Sequence, residues 1–138
     1  MAEHDGYTQC TQVPSLATYQ YLRISAGLSA KYTEAATVGL ANTLFATMVF
    51  ADDEPVGMGR VIGDGGCFFQ VVDIAVLPAH QGRGLGKRIM AAIAQYLHDH
   101  VPASGYVSLI ADGQAQQLYA QFGFQPTAPA SVGMYLKR

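Results

Sequence analysis

The sequence predicts a single domain of the α/β class (mixed α+β) that spans residues 1–138. Three observations carry this prediction. The chain of 138 residues has the length of one domain. Half of its residues are hydrophobic and the net charge is only −2, a balance that excludes a disordered chain. The spacing of the apolar residues changes several times between the period of a strand and that of a helix.

Composition also limits the partners and the compartment. Eight Lys and Arg against ten Asp and Glu argue against a general nucleic-acid binder. No apolar run approaches the ~20 residues that a membrane span needs, and the first residues lack the basic and apolar regions of a secretion signal. Cys10 and Cys67 are far apart and are expected to be reduced thiols. We therefore expect a cytoplasmic protein without nucleic-acid or membrane partners.

The first half of the chain predicts a strand, two helices and a hairpin. Ser15 is placed as the N-cap of the first helix and Gly27 as its stop. The hairpin turns at Asp52–Pro55, where acidic residues and a proline replace the apolar pattern. The predicted elements are strand Gly6–Gln12, helices Ser15–Ala26 and Thr33–Asn42, and strands Leu44–Ala51 and Val56–Ile62.

The second half predicts a buried strand followed by alternating helices and strands. The run Cys67–Leu77 is almost continuously apolar, as in a strand that is buried on both faces. The strand–helix–strand unit from Cys67 to Ala111 implies a parallel pair with a right-handed crossover. The elements after the buried strand are helix Leu85–Asp99, strand Gly105–Ala111, helix Gly113–Phe122 and strand Gly133–Lys137.

A glycine-rich segment, Gln81–Arg88, lies between the buried strand and the following helix. Its three glycines let the backbone approach a ligand closely, and the start of a helix attracts an anion. No acidic residue stands between Asp73 and Asp99, whereas three cations lie within the segment. Because cations in a first turn are repelled by the helix dipole, an anion is expected as their missing partner. The alternative is an ordinary turn before a solvated basic helix start.

Two familiar phosphate-binding loops do not fit this segment. The dinucleotide pattern GxGxxG would need glycine at Lys87 or at Ile89. The pattern GxxxxGK[ST] would need glycine at Gln81 and a hydroxyl residue at Arg88. Neither pattern therefore explains the three glycines.

Two blocks resemble the GNAT superfamily of acyl-CoA-dependent N-acetyltransferases. Gln81–Gly86 reads Q-G-R-G-L-G and fits the signature Q/R-x-x-G-x-G/A of that family. Asp112–Phe124 reads D-G-Q-A-Q-Q-L-Y-A-Q-F-G-F and is similar to the family block N-x-x-A-x-x-L-Y-x-x-x-G-F. The resemblance implies a GNAT-like fold with a central mixed, mostly antiparallel sheet of about six to seven strands, flanked by four helices.

The resemblance also implies where acetyl-CoA, or coenzyme A, binds as a co-substrate. The pyrophosphate is expected on the amides of the glycine loop, and the pantetheine arm alongside the buried strand, where two parallel strands splay apart. The N–H of Ile74 is then placed to polarise the thioester carbonyl. No metal is expected. The implied coenzyme-binding residues are Ile74, Ala75, Val76, Gln81, Gly82, Arg83, Gly84, Leu85, Gly86, Lys87 and Asp112.

Two residues of the second block have alternative interpretations. Tyr119 matches the family tyrosine that protonates the leaving thiolate, and a phenol holds its proton at neutral pH. Its alternative is a core position on a helical stripe with Ala115 and Phe122. Asp112 stands where the family often has asparagine, and we favour an N-cap for the following helix over direct contact with the coenzyme.

Asp73 is the only acid on the predicted buried strand. A charge there needs a partner or a purpose, and some family members use an acid at this position to orient the amine. Asp73 is therefore a candidate catalytic residue. A salt bridge, for instance to Arg60, is the structural alternative, and deprotonation through water without a dedicated base is a third option.

The resemblance places the acceptor cleft between two loops, 27–32 and 126–133. Leu28, Tyr32 and Ser131 are the candidate substrate-binding residues, with Met134 as a further one. Lys31 is the main charge of this expected lining, which favours a small primary amine. The resulting hypothesis is an N-acetyltransferase that works by direct attack in a ternary complex. A CoA-binding regulatory module and an enzyme for protein lysine or N-terminal amines are the alternatives, and a homodimer is left open.

Overall fold

The computed structural model describes residues 5–138, and these form a sheet of five strands in the order β1-β2-β3-β4-β5. The first four strands pair antiparallel, and β4 pairs parallel with β5. This mixed, mostly antiparallel sheet with four α-helices confirms the predicted fold class. The strands are β1 (Tyr7–Thr11), β2 (Phe45–Ala51), β3 (Glu54–Gly63), β4 (Phe68–Val76) and β5 (Tyr106–Ser108). The helices are α1 (Leu16–Ser25), α2 (Thr33–Ala41), α3 (Leu85–His100) and α4 (Ala115–Ala120), with a 3-10 turn at Pro78–His80.

Local sequence signals set the ends of α1. The side chain of Ser15 accepts a hydrogen bond from the Thr18 N–H at 3.2 Å, which makes Ser15 the predicted N-cap. Gly27 follows the helix with a φ of +92°, a conformation that favours glycine. Both signals are confirmed as predicted.

Buried side chains form two core clusters, one between α3 and the sheet and one beneath α1 and α2. Gly59 of β3 lies against α3, since a Cβ there would come within 2.6 Å of Ile89 Cγ2 and 2.7 Å of Ile74 Cδ1. A glycine is therefore required for this helix to approach the sheet so closely. The α3 cluster includes Val49, Val61, Val71, Leu85, Ile89, Met90 and Ile93, and the other includes Tyr19, Leu22, Ala36, Met48, Met58 and Ala75.

A β-bulge interrupts β4 in its middle. Met58 pairs with Ala75 and Arg60 with Val72, so that Asp73 and Ile74 together face a single residue of β3. Asp73 has a φ of +59°, which is uncommon for a residue other than glycine. The bulge therefore gives the one acid of this strand a special backbone conformation.

The parallel pair β4–β5 is short and then opens. Only three residue pairs join the two strands, from Phe68 with Tyr106 to Gln70 with Ser108. Beyond them β4 continues to Val76, and no strand among residues 5–138 pairs with it on that side. The splay that the family resemblance implied is thus present, and it leaves a gap in the sheet.

The C-terminal part of the chain differs from the prediction. No strand forms at Gly133–Lys137, so the described residues 5–138 hold five strands rather than six or seven. Val132, Met134, Tyr135 and Leu136 are all at least 70% exposed. A strand pattern needs a neighbour to complete its hydrogen bonds, and β5 offers only three residues. Within the same range, no helix is both long and apolar enough to cross a membrane.

Candidate active site

The gap between β4 and β5 opens into a cleft of about 530 Å³. The bulged strand β4 forms its floor, α1 and the loop after it form one wall, and the chain between β5 and α4 forms the other. The cleft could not be recognised from the sequence as one site, because its walls come from both halves of the chain. The lining includes Tyr19, Arg23, Leu28, Lys31, Arg60, Gln70, Asp73, Ile74, Ile110, Asp112 and Tyr119.

The glycine loop leads into α3 as predicted. Gly84 is the N-cap of α3 with a φ of +80°, no side chain caps the helix, and its first turn holds no acid. Gly82 has a φ of +77°, and a Cβ on either glycine would meet nothing within 4 Å. The first amides of a helix have no acceptor inside it. The loop therefore presents backbone donors toward open space, which suits an anion.

The three cations of this segment do not act as one group. The Arg83 guanidinium donates to the Tyr7 hydroxyl at 3.1 Å, and that hydroxyl lies 2.8 Å from His80 Nδ1. Arg88 forms an ion pair with Asp5. Lys87 is exposed and has no ion pair among residues 5–138. The expectation that an anion is the missing partner of every cation is therefore wrong for Arg88, whose acid comes from the N-terminal segment.

The expected coenzyme residues on β4 and at the loop entry differ in accessibility. Ile74 lines the cleft, whereas Ala75 is buried and Val76 is half-buried. The Gln81 side-chain amide donates to the Val76 carbonyl oxygen at 3.0 Å, which ties the loop to the end of the strand. Gln81 thus has a structural contact, and its contact with the coenzyme stays a prediction.

Tyr119 lies where the cleft meets a second groove that follows β5. Both cavities share Gln70, Leu109 and Ile110 as lining residues together with Tyr119. Partial burial raises the pKa of the Tyr119 phenol above its usual value of 10.0, and the negative charge of Asp112 raises it further. The phenol therefore keeps its proton at neutral pH. Tyr119 also packs against the α3 core cluster, so the two interpretations of this residue are compatible.

Asp112 is not the N-cap that we favoured. The helix α4 begins at Ala115 rather than Gly113, its N-cap is Gln114, and no side chain caps it. Gly113 has a φ of +53°, which delays the helix. Asp112 instead accepts the Ala115 N–H through its backbone carbonyl at 3.0 Å, and its side chain lines the cleft.

Asp73 is held by three donors inside the cleft. Its Oδ1 lies 2.6 Å from Arg23 Nη1, and its Oδ2 lies 2.6 Å from Arg60 Nη1. The Tyr19 hydroxyl donates to the same Oδ2 at 2.9 Å. Burial raises the pKa of Tyr19, and the charge of Asp73 raises it further, so the hydroxyl remains a donor. The salt bridge to Arg60 is confirmed, while a role of Asp73 in orienting the amine stays a prediction.

Arg23 is the site residue that the sequence interpretation missed. It is one of three buried residues of α1, on the same side as Tyr19. The signal was available, because an arginine four residues after Tyr19 falls on the apolar face rather than the solvated one. The expected lining with Lys31 as its main charge is therefore wrong, since Arg23, Arg60 and Asp73 line it as well.

The candidate acceptor residues fall in different places. Leu28 lines the cleft, and Ser131 lines the second groove. Tyr32 and Met134 are each 88% exposed and line neither cavity. The two loops expected to enclose the acceptor therefore border two cavities, which meet at Tyr119.

A glycine loop before α3 and a sheet that opens beside it define the class of protein as a GNAT-type acetyltransferase. The family described as "Acetyltransferase (GNAT) domain" matches residues 18–135, and the chain belongs to this family. Within residues 5–138, no cluster of His, Cys, Asp and Glu could hold a metal ion.

Similar proteins agree with this family. A probable acetyltransferase of unknown function from methicillin-resistant Staphylococcus aureus is 49% identical with a TM-score of 0.90, covering 96% of this chain and 99% of that one. A GNAT protein from Streptococcus pneumoniae shares the fold at 23% identity and a TM-score of 0.77, covering 96% and 98%. The chloroplastic GCN5-related N-acetyltransferase 2 of Arabidopsis thaliana is 31% identical over 58% of this chain. Histone acetyltransferase TAP1 of Glycine max is 30% identical over the same share. The chain spans about a third of the length of these two curated relatives, 30% and 34%.

Proposed function

We propose that the chain transfers an acetyl group from acetyl-CoA to a small primary amine by direct attack in a ternary complex. The observation that carries this proposal is the opening of β4 from β5, with the glycine loop at one end and Tyr119 on its wall. Bound acetyl-CoA supplies an acetyl group that its thioester activates toward an amine. Residues of this chain bind and orient the coenzyme and the acceptor and supply the proton for the leaving thiolate.

The site fits the coenzyme in two respects. The open side of β4 beyond Gln70 leaves backbone groups that a pantetheine arm can pair with, as an added strand would. The glycine loop offers helix-terminal amides in front of open space, where a pyrophosphate fits. Gly82 and Gly84 keep that space clear, because neither carries a Cβ.

Tyr119 is the proposed general acid. A leaving thiol has a pKa near ~8.5, so it departs as the thiolate, whereas a phenol near ~10 still holds its proton. Burial, aided by Asp112, raises the pKa of Tyr119 further and keeps the donor protonated over the neutral range. The incoming ammonium must lose its proton first. Because Asp73 is engaged by three donors, we assign that step to water.

The Tyr119→Phe variant tests this assignment. We expect kcat, read as free thiol released, to fall by ~10²–10⁴, while calorimetry shows unchanged acetyl-CoA affinity. In the parent protein, the loss of activity at high pH should begin only as pH rises through the raised pKa of Tyr119, above 10.0, because the acid must be protonated. At low pH, activity should fall because the acceptor amine is protonated. Tyr21→Phe is the matched control, since Tyr21 is 52% exposed and lines neither cavity. Full turnover of Tyr119→Phe would remove this residue from the mechanism.

An enzyme for protein amines is the second candidate. It is favoured by one relative, which is named as a histone acetyltransferase and is 30% identical over 58% of this chain. An acceptor panel that contains both small amines and lysine peptides separates the two. A CoA-binding module without turnover would bind acetyl-CoA and release no thiol with any acceptor.

A further inference from the structure

Two arginines and one carboxylate lie buried together in the wall of the cleft. The exposed fractions of the side chains are 10% for Arg23 and 6% each for Arg60 and Asp73. Two guanidinium groups and one carboxylate give this cluster a net formal charge of +1. An uncompensated charge that is removed from water is costly, so this cluster calls for an anion.

No other described residue supplies that anion. The cleft is also lined by Lys31 and Asp112, which are both exposed and balance each other. None of the remaining acidic residues between positions 5 and 138 lines it. The backbone carbonyls of Ser29 and Gly39 accept from the two guanidinium groups, but they contribute dipoles and no net charge.

The two arginines also have N–H donors for which no acceptor is described among residues 5–138. Two guanidinium groups carry ten N–H donors, and six hydrogen bonds from them are described. One of the six, from Arg23 Nη2 to Ser29 Oγ, is long at 3.4 Å. About four donors therefore remain on the two arginines, and one carboxylate has about four lone-pair sites. A single guanidinium can form two parallel hydrogen bonds with a carboxylate.

We infer that Arg23 and Arg60 bind a carboxylate of the acceptor, which is therefore a small amino acid. This inference rests on the proposed function and names its substrate class. The surplus of one charge matches a carboxylate better than a phosphate dianion. The same charge repels an ammonium group, so the amine end of the acceptor is directed away from the arginines and its loss of a proton is favoured.

Matched triplets of acceptors test the inference. Each triplet contains an amino acid, its primary amide and its decarboxylated amine, and the panel covers α-, β- and γ-amino acids together with aminoalkyl phosphates. We expect kcat/KM for the carboxylate member to exceed both partners by at least about tenfold, the scale of a charge-assisted hydrogen bond. Calorimetry on the CoA complex should show the same order of affinities.

A variant connects that preference to the arginine pair. Arg23→Gln should lower kcat/KM for the amino acids at least about tenfold more than kcat/KM for their amides, so that the discrimination between them is lost. Lys137→Gln is the matched control, since it removes one positive charge from an exposed position and should retain the preference for amino acids over amides. Competition between N-acetyl amino acids and their amides on the unaltered protein gives a second measurement if Arg23→Gln does not fold.

The outcomes separate the two proposals. If acetyl-CoA binds but amides, simple amines or aminoalkyl phosphates serve as well as the acids, the carboxylate inference is overturned and the proposed function stands. The carboxylate inference is likewise overturned if no amino acid binds the CoA complex. If acetyl-CoA itself does not bind, the proposed function fails and the inference fails with it.

Discussion

Replacing Gly84 by alanine is the sharpest test of the coenzyme site. Gly84 caps α3 with a φ of +80°, and a Cβ there would project into space with no atom within 4 Å. The positive φ should cost about 1–2 kcal/mol of folding stability. Because Gly84 is the N-cap of α3, the new methyl group would also occupy open space next to the amides proposed to bind the pyrophosphate. Loss of one charge-assisted hydrogen bond, about 1.5–3 kcal/mol, weakens binding roughly 10- to 100-fold.

Calorimetric titration with coenzyme A measures this effect, and chemical denaturation measures the stability. Gly123→Ala is the matched control, because Gly123 has a φ of +92° and likewise nothing within 4 Å of its Cβ position. It should lose similar stability and keep full affinity. Equal dissociation constants for the two variants would refute the placement of the pyrophosphate on this loop.

The remaining predictions concern stability. Gly59→Ala should lower the free energy of unfolding by about 1–3 kcal/mol through overpacking, since the new Cβ overlaps Ile89 and Ile74. Gly39→Ala, in α2 with nothing within 4 Å, should instead gain up to about 1 kcal/mol. Equal denaturation midpoints for Gly59→Ala and Gly39→Ala would contradict the close approach of α3 to β3 at Gly59. Asp73→Asn breaks two buried ion pairs and should cost about 3–5 kcal/mol. A variant of normal stability with only a raised KM for the amine would instead support the hypothesis that Asp73 orients the acceptor.

Much of the fold could be predicted because its signals are local. The apolar period of α3, the Ser15 cap and the continuous apolar run of β4 each depend on residues within one element. The glycine loop was equally visible, since a strand, three glycines and a helix start are adjacent in the chain. In the structure, Gly82 and Gly84 have φ values of +77° and +80°, which are conformations that favour glycine.

Features that depend on distant partners could not be predicted in the same way. Arg88 forms an ion pair with Asp5, which lies 83 positions earlier in the chain, and no local sequence pattern predicts that pair. The predicted strand at Gly133–Lys137 has the right composition, but a strand exists only where a neighbour completes its hydrogen bonds.

The sequence by itself determined the order of the elements, the glycine loop and the block that contains Tyr119, because periodicity and turn chemistry act over a few residues. Only the tertiary structure decided the charge of the cleft. Arg23 and Arg60 come from α1 and β3, and they meet at Asp73 because a bulge lies at that position of β4. Charges separated by 50 and 13 positions interact through space. Their sum at one site is therefore a property of the fold.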